Sequence, residues 1–179
     1  IPVKDLLYGL MLVIGNDAAN ALAEYYSGSV EEFAKVMNEE ALALGATNSH
    51  FVNANGLPDN DHYTTVYDMY LIFQEAVKSQ AFVDIIKTKS IDVTYQDANG
   101  NDVNKTWNNT NHYLTGETEA PEGITVIGGK TGTTNAAGYC LVLYSNNIKG
   151  EDIISIVYKS DGRSNMYLLM NQILSTFAN

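Results

Sequence analysis

Halfway along the chain the spacing of apolar residues changes, and that change limits the fold more than any other feature. Up to about Lys87 apolar residues recur every three or four positions, the spacing of helices with one apolar stripe. From Ile91 they alternate with polar residues, the spacing of strands whose two faces meet different surroundings. Helices first and strands after predict an α+β fold, a helical lobe packed on an antiparallel β-sheet. The 179 residues carry no internal repeat, low-complexity tract or linker, so 1–179 is read as one unit.

Local signals place the elements. Val3, Leu6, Leu7, Leu10, Met11 and Ile14 mark a helix over 3–14 that ends at Gly15. Asn16 or Asp17 then caps a second helix, with Ala18, Ala19, Leu22, Ala23 and Tyr26 facing inward. Ser29-Val30-Glu31-Glu32 is a capping box, and the helix it opens stops at Gly45. Residues 46–63 turn to Asn, Asp, Gly and Pro and predict a long loop whose asparagines satisfy their own backbone. Thr65 and Asp68 start a fourth helix, and Ser79 caps a short fifth one. Ile91, Val93 and Tyr95, the turn at Asp97-Ala98-Asn99-Gly100 and the return from Val103 to Trp107 form a hairpin. Strands over 124–132, 139–144 and 153–158 follow as a meander, closed by a helix over 164–177.

Within the first strand of the meander lies Gly128-Gly129-Lys130-Thr131-Gly132-Thr133-Thr134. Glycine weakens a strand and often marks a place where another backbone comes close. This stretch therefore reads as a sheet edge offered to an extended ligand. Lys130 supplies positive charge, the hydroxyls of Thr131 and Thr133 suit a carboxylate, and Gly132 lets a peptide backbone lie alongside. The plainer reading is a hairpin loop rich in small residues. A phosphate-binding P-loop is excluded by spacing, since Ile124 stands where its first glycine must be, and by context, since a strand rather than a helix follows.

Charge and composition narrow the partners. With 21 acidic and 10 basic residues the net charge is −11, which repels phosphate backbones, so nucleic acid is not an expected partner. Cys140 is the only cysteine, and His50, His62 and His112 are widely separated, so neither a disulfide, a metal site nor a cofactor is expected. No apolar run has the length of a membrane helix, and no signal peptide is visible.

A series of blocks in fixed order then carries a family resemblance: Leu6-Leu7-Tyr8-Gly9-Leu10-Met11-Leu12, Gly15-Asn16-Asp17-Ala18-Ala19, Leu44-Gly45-Ala46-Thr47-Asn48-Ser49-His50-Phe51, Asn55-Gly56-Leu57, Tyr63-Thr64-Thr65, Asp68-Met69, Lys130-Thr131-Gly132 and Ala137-Gly138-Tyr139. The sequence resembles the D-alanyl-D-alanine carboxypeptidases, low-molecular-mass penicillin-binding proteins of the serine peptidase type. That resemblance implies part of a β-lactamase/penicillin-binding-protein transpeptidase-like fold, with a site between helices and sheet. It implies cleavage of the terminal D-alanine from peptidoglycan stem peptides through an acyl-enzyme, reaction with β-lactam antibiotics, and a place in the extracytoplasmic cell envelope. Three motifs build such sites, Ser-x-x-Lys, Ser-x-Asn and Lys-Thr-Gly. Carried over, Asn16 matches the second motif, and Lys130, Thr131 and Gly132 match the third. The implied roles are catalytic for Asn16 and Lys130, and substrate binding for Thr131, Gly132, Thr133 and Asn111, with the Thr133 N–H in the oxyanion hole.

Two departures stand beside the matches. No serine has lysine three residues later, Ser160 with Arg163 coming nearest, so the chain reads as a piece lacking its nucleophile segment and inactive by itself. Ile14 stands where the second motif has serine; it extends the apolar stripe of the first helix but brings no hydroxyl. These departures keep a second reading open, a non-catalytic module that binds cell-wall peptides or a partner. A class A β-lactamase is disfavoured by Gly15, where those enzymes carry aspartate, and by the lack of a Glu-x-x-Leu-Asn segment.

Overall fold

The computed structural model describes residues 1–178. Five helices come first: α1 (Val3–Val13), α2 (Asn16–Ser27), α3 (Val30–Ala43), α4 (Val66–Ala76) and α5 (Gln80–Ile86). A hairpin of β1 (Ser90–Gln96) and β2 (Asp102–Asn108), a one-turn helix α6 (His112–Thr115), the strands β3 (Thr125–Thr134), β4 (Gly138–Asn146) and β5 (Asp152–Ser160), and finally α7 (Arg163–Phe177) complete the fold. The strands form two antiparallel sheets, β1-β2 and β3-β4-β5.

The central strand β4 holds the molecule together because it is covered on both faces. Leu141 and Leu143, fully buried, meet Met166, Met170 and Leu174 of α7. Val142, between them and so on the opposite face, packs with Phe73 of α4 and Ile86 of α5. Each such buried side chain contributes roughly 1.5–3 kcal/mol relative to exposure. A strand covered on both sides reads as a continuous apolar run, which is what residues 139–144 show. The pairing Lys130 with Val142 and Thr131 with Leu141 carries this two-sidedness into β3. Lys130 lies on the face turned to α4 and α5, and Thr131 on the face turned to α7.

The predicted caps of α3, α4 and α5 are present: the hydroxyls of Ser29, Thr65 and Ser79 accept the amides of Glu32, Asp68 and Phe82. The long loop after α3 is tied down by polar side chains. Asn53 and Asn55 accept the nearby amides of Gly56 and Leu57, as expected for asparagine turns. The buried Asp68 carboxylate adds a longer-range tie, accepting from the Asn48 amide and the Ser49 hydroxyl, each at 2.7 Å.

Four expectations are corrected. Ile14 does not extend α1; it sits in the left-handed region (φ 59°, ψ 47°) as the C-cap. The amides of Ile14 and Gly15 both donate to the Gly9 carbonyl, which turns the chain at once into α2. That conformation costs a β-branched residue about 1–2 kcal/mol. The N-cap of α2 is Gly15, not Asn16 or Asp17; Asn16 is the first helical residue, and Asp17 lies in the first turn. Tyr26 is 72% exposed, its ring meeting Phe33 edge-on, because α2 buries just its small residues Ala18, Ala19 and Ala23. Finally, α6 follows the hairpin where a plain connection was expected; four residues are too few to show an apolar period.

Candidate functional site

The two halves of β3 meet different surroundings. At Gly128 an added Cβ would lie 2.6 Å from the Ile86 carbonyl oxygen, and at Gly129 it would collide with the Val142 carbonyl. Only glycine fits there. At Gly132, on the same face as Gly128, an added Cβ would meet nothing within 4 Å. β3 is also an edge of its sheet, hydrogen-bonded only to β4.

Lys130 stands where the packed half gives way to the open one. Its ammonium donates to the Thr131 carbonyl and has no carboxylate partner among the described residues. Burial without a counter-charge pushes its pKa down to about 8. A lysine so placed projects positive charge and gives up its proton more readily than a surface lysine.

On the other face, Thr131 and Thr133 line a small cavity of about 50 Å³ together with Ile14, Thr110, Tyr139, Arg163, Met166 and Tyr167. The Thr131 and Thr110 hydroxyls lie 2.5 Å apart, and the Thr110 amide donates to the Leu12 carbonyl at 3.2 Å. Those two bonds tie the end of α1 to β3. In a chain of net charge −11, this lining contains no carboxylate; it holds three threonine hydroxyls and the only arginine of the sequence. Arg163 is exposed, unpaired with any acid among the described residues, and is the first residue of α7. A helix N-terminus already favours negative charge, so a cation there leaves an unbalanced positive end. The cap residue Gly162 offers no side chain to the first amides. Guanidinium, hydroxyls and free helix amides together suit a carboxylate.

Tyr167 forms one wall of the cavity. Its hydroxyl accepts the His112 amide at 2.9 Å and its ring stacks on the His112 imidazole, with centroids 4.8 Å apart. Burial raises its pKa, which keeps the phenol neutral.

The structure distributes the sequence-predicted residues unevenly. Thr131 and Thr133 share the cavity, and Lys130 and Gly132 lie beside them on the opposite face of β3. Asn16 is exposed at the start of α2, two positions from the cavity-lining Ile14 but not itself in the lining. Asn111 is fully buried away from the cavity; its side-chain oxygen accepts the Tyr113 amide to cap α6, and its amide nitrogen faces Gly129. Its neighbour Thr110 is the one that reaches the cavity. Sequence reasoning missed Thr110, Tyr139, Arg163, Met166 and Tyr167. The one signal available was that Arg163 is the sole arginine and follows Asp161-Gly162 at the start of a helix.

Thr134 is followed by a turn and then β4, so the Gly-Lys-Thr run lacks the helix that a phosphate loop needs. Among the described residues, no group of three or more His, Cys, Asp or Glu side chains is placed to hold a metal ion. None of their helices is long and apolar enough to cross a membrane.

Comparison with known proteins bears on this geometry. The family profile described as D-alanyl-D-alanine carboxypeptidase matches residues 1–162. D-alanyl-D-alanine carboxypeptidase DacF of Bacillus subtilis is 38% identical over 141 residues, covering 78% of this chain and 33% of that protein. The D-alanyl-D-alanine carboxypeptidase of Streptomyces sp. strain K15 is 36% identical over 167 residues, covering 89% and 55%. This chain thus spans a third of the first relative and about half of the second. Among solved structures, a single-substitution mutant of the Streptomyces K15 DD-transpeptidase superposes with a TM-score of 0.87 at 33% identity, over 98% of this chain and 67% of that one. The D-alanyl-D-alanine carboxypeptidase DacD of Francisella tularensis gives 0.83 at 28% identity, over 98% and 51%.

Proposed function

The chain belongs to the D-alanyl-D-alanine carboxypeptidase family, and from that premise we propose that it forms the carboxylate-binding and sheet side of a serine-type active site that trims D-alanine from peptidoglycan stem peptides. The observation that carries this reading is the cavity beside β3: acid-free, lined by Thr110, Thr131, Thr133 and Arg163, in a strongly acidic chain. The free carboxylate of a peptide ending in D-Ala-D-Ala is bound by these hydroxyls and the guanidinium. Its backbone lies along the open half of β3, where Gly132 leaves room. Lys130 steadies negative charge that develops on the substrate and shares in proton transfer, which its lowered pKa favours. The Thr133 N–H serves the oxyanion hole, and Asn16 approaches the reacting peptide from the start of α2. The nucleophilic serine and its lysine come from polypeptide outside these 179 residues, because the sequence contains no Ser-x-x-Lys. The whole protein then reacts with β-lactams and works in the cell envelope, as the family's substrate requires.

The test uses the source polypeptide that carries a Ser-x-x-Lys ahead of residue 1. It is expected to be labelled covalently by a fluorescent penicillin and to release D-alanine from a D-Ala-D-Ala peptide. A source polypeptide with that motif that does neither overturns the reading.

One observation favours a second reading, a peptide-binding module without efficient turnover. Ile14 lines the cavity where a serine hydroxyl would relay protons, and losing an acid-base participant typically removes a hundredfold to ten-thousandfold, roughly, in rate. Ile14→Ser separates the two: a gain in D-alanine release supports a slow enzyme, and unchanged absence of release supports the module.

A further inference from the structure

Arg163 is an exposed side chain on the first residue of a helix, a location that by itself leaves a guanidinium free to wander. What fixes its starting point lies immediately before it. Near the end of β5 the pairing slips: Tyr139 stands opposite Ser160 but Leu141 opposite Val157, so Tyr158 and Lys159 together face Cys140. This is a β-bulge, and its second residue, Lys159, is in the left-handed region at φ 57°. Only Ile14 shares that conformation among the described non-glycine residues, and it lines the cavity that Arg163 also lines. Non-glycine residues held there persist when their surroundings enforce the geometry, and they gather at functional sites.

The bulge delivers Ser160 into a buried position, 5% exposed, against Gly138. A Cβ at Gly138 would lie 2.7 Å from the Ser160 carbonyl oxygen. From there the Ser160 hydroxyl donates to the Gly162 carbonyl at 3.0 Å. The same carbonyl accepts the Met166 amide at 2.9 Å, the first intrahelical bond of α7. Both acceptor sites of one carbonyl are thereby used, one by the helix and one by the strand. Gly162 is extended (φ −161°, ψ 153°) and has no side chain of its own to hold it. Asp161 adds a second tie on the solvent side, accepting from the Asn165 side chain at 2.7 Å.

We propose that Ser160 is a positioning residue for Arg163: its hydroxyl fastens the carbonyl from which α7 starts and so aims the guanidinium at the carboxylate subsite beside Thr131 and Thr133. The proposal rests on the carboxylate-binding reading of that cavity. Ser160 itself touches no substrate.

The experiment compares binding of N-acetyl-D-alanyl-D-alanine and of its C-terminal amide to this chain, by titration followed with NMR. The unsubstituted chain binds the acid at least about tenfold tighter than the amide, the scale of one charge-assisted contact. Arg163→Gln abolishes that preference. Ser160→Ala lowers affinity for the acid about three- to tenfold and leaves the amide unchanged, whereas Ser160→Thr, which keeps the donor, restores the preference. In the double variant Ser160→Ala with Arg163→Gln, the loss is no larger than for Arg163→Gln alone, because the serine acts through the arginine. If Ser160→Ala unfolds the chain, Ser160→Cys carries the same comparison, since its weaker donor lowers the preference partway. No acid preference in the unsubstituted chain overturns the carboxylate reading, and this inference with it. An acid preference that Arg163→Gln removes but the Ser160 variants retain, or losses that add in the double variant, overturns the positioning role alone.

Discussion

The inner and outer halves of β3 share one backbone, one register and the same glycine-rich composition, yet one half is architecture and the other is surface. Gly128 is pinched against Ile86, while Gly132, four residues along on the same face, meets nothing. The difference comes from what lies across the strand. The inner half packs against Ile86 of α5, whereas the outer half meets the α1–α2 junction at Ile14, the Thr110 segment and the start of α7. Glycine is required in the first case because space is missing; at Gly132 space is left over, and the proposed peptide ligand is what would use it.

The sharpest way to break this comparison is Gly129→Ala. Its new methyl has no room beside the Val142 carbonyl, so the substitution should cost about 3 kcal/mol or more by denaturant unfolding. A cost below about 1 kcal/mol would remove the distinction between the halves. Next in size is Lys130→Met, expected to stabilise the chain by about 2–3 kcal/mol at neutral pH by removing a half-buried cation that has no counter-charge. The sign follows from proton counting. Because the folded-state pKa is lowered to about 8, the unfolded chain holds more protons between about pH 8 and the ordinary lysine value near 10.4, and stability rises across that window. Below about pH 8 the penalty is constant. Lys130→Met should abolish this rise, and a retained rise would assign it to another group. Smallest is Gly132→Ala, expected within about 0.5 kcal/mol of the parent in unfolding, yet expected to weaken peptide binding severalfold because the methyl stands where the ligand backbone lies. Unchanged binding would mean that the open half is simply uncovered.

Much of this was legible in the sequence. The change of apolar period gave the order of helices and strands, and Ser29, Thr65 and Ser79 announced three helix starts through their local chemistry. The Lys-Thr-Gly stretch marked a sheet edge, which β3 is, because three glycines and a lysine make poor strand interior. What escaped reading depends on contacts between distant parts of the chain. Ile14 fits an apolar stripe by spacing, and only the tight α1–α2 turn shows that it leaves the helix. Thr110 and Asn111 are adjacent polar residues, and nothing local tells which of them faces the cavity and which caps α6. Arg163 lines the cavity just past a bulge whose signature, a lysine in a glycine-like conformation, has no trace in composition or period.

The central claim, that the outer half of β3 together with Arg163 forms a carboxylate site, is tested most directly by mapping amide chemical shifts while N-acetyl-D-alanyl-D-alanine is added to the chain. The account predicts saturable shifts at Thr131, Gly132, Thr133, Thr110 and Arg163, with Gly128 and Gly129 still. Shifts confined to the β1–β2 hairpin or to the loop over 46–64, with the outer half of β3 unmoved at saturation, would contradict it.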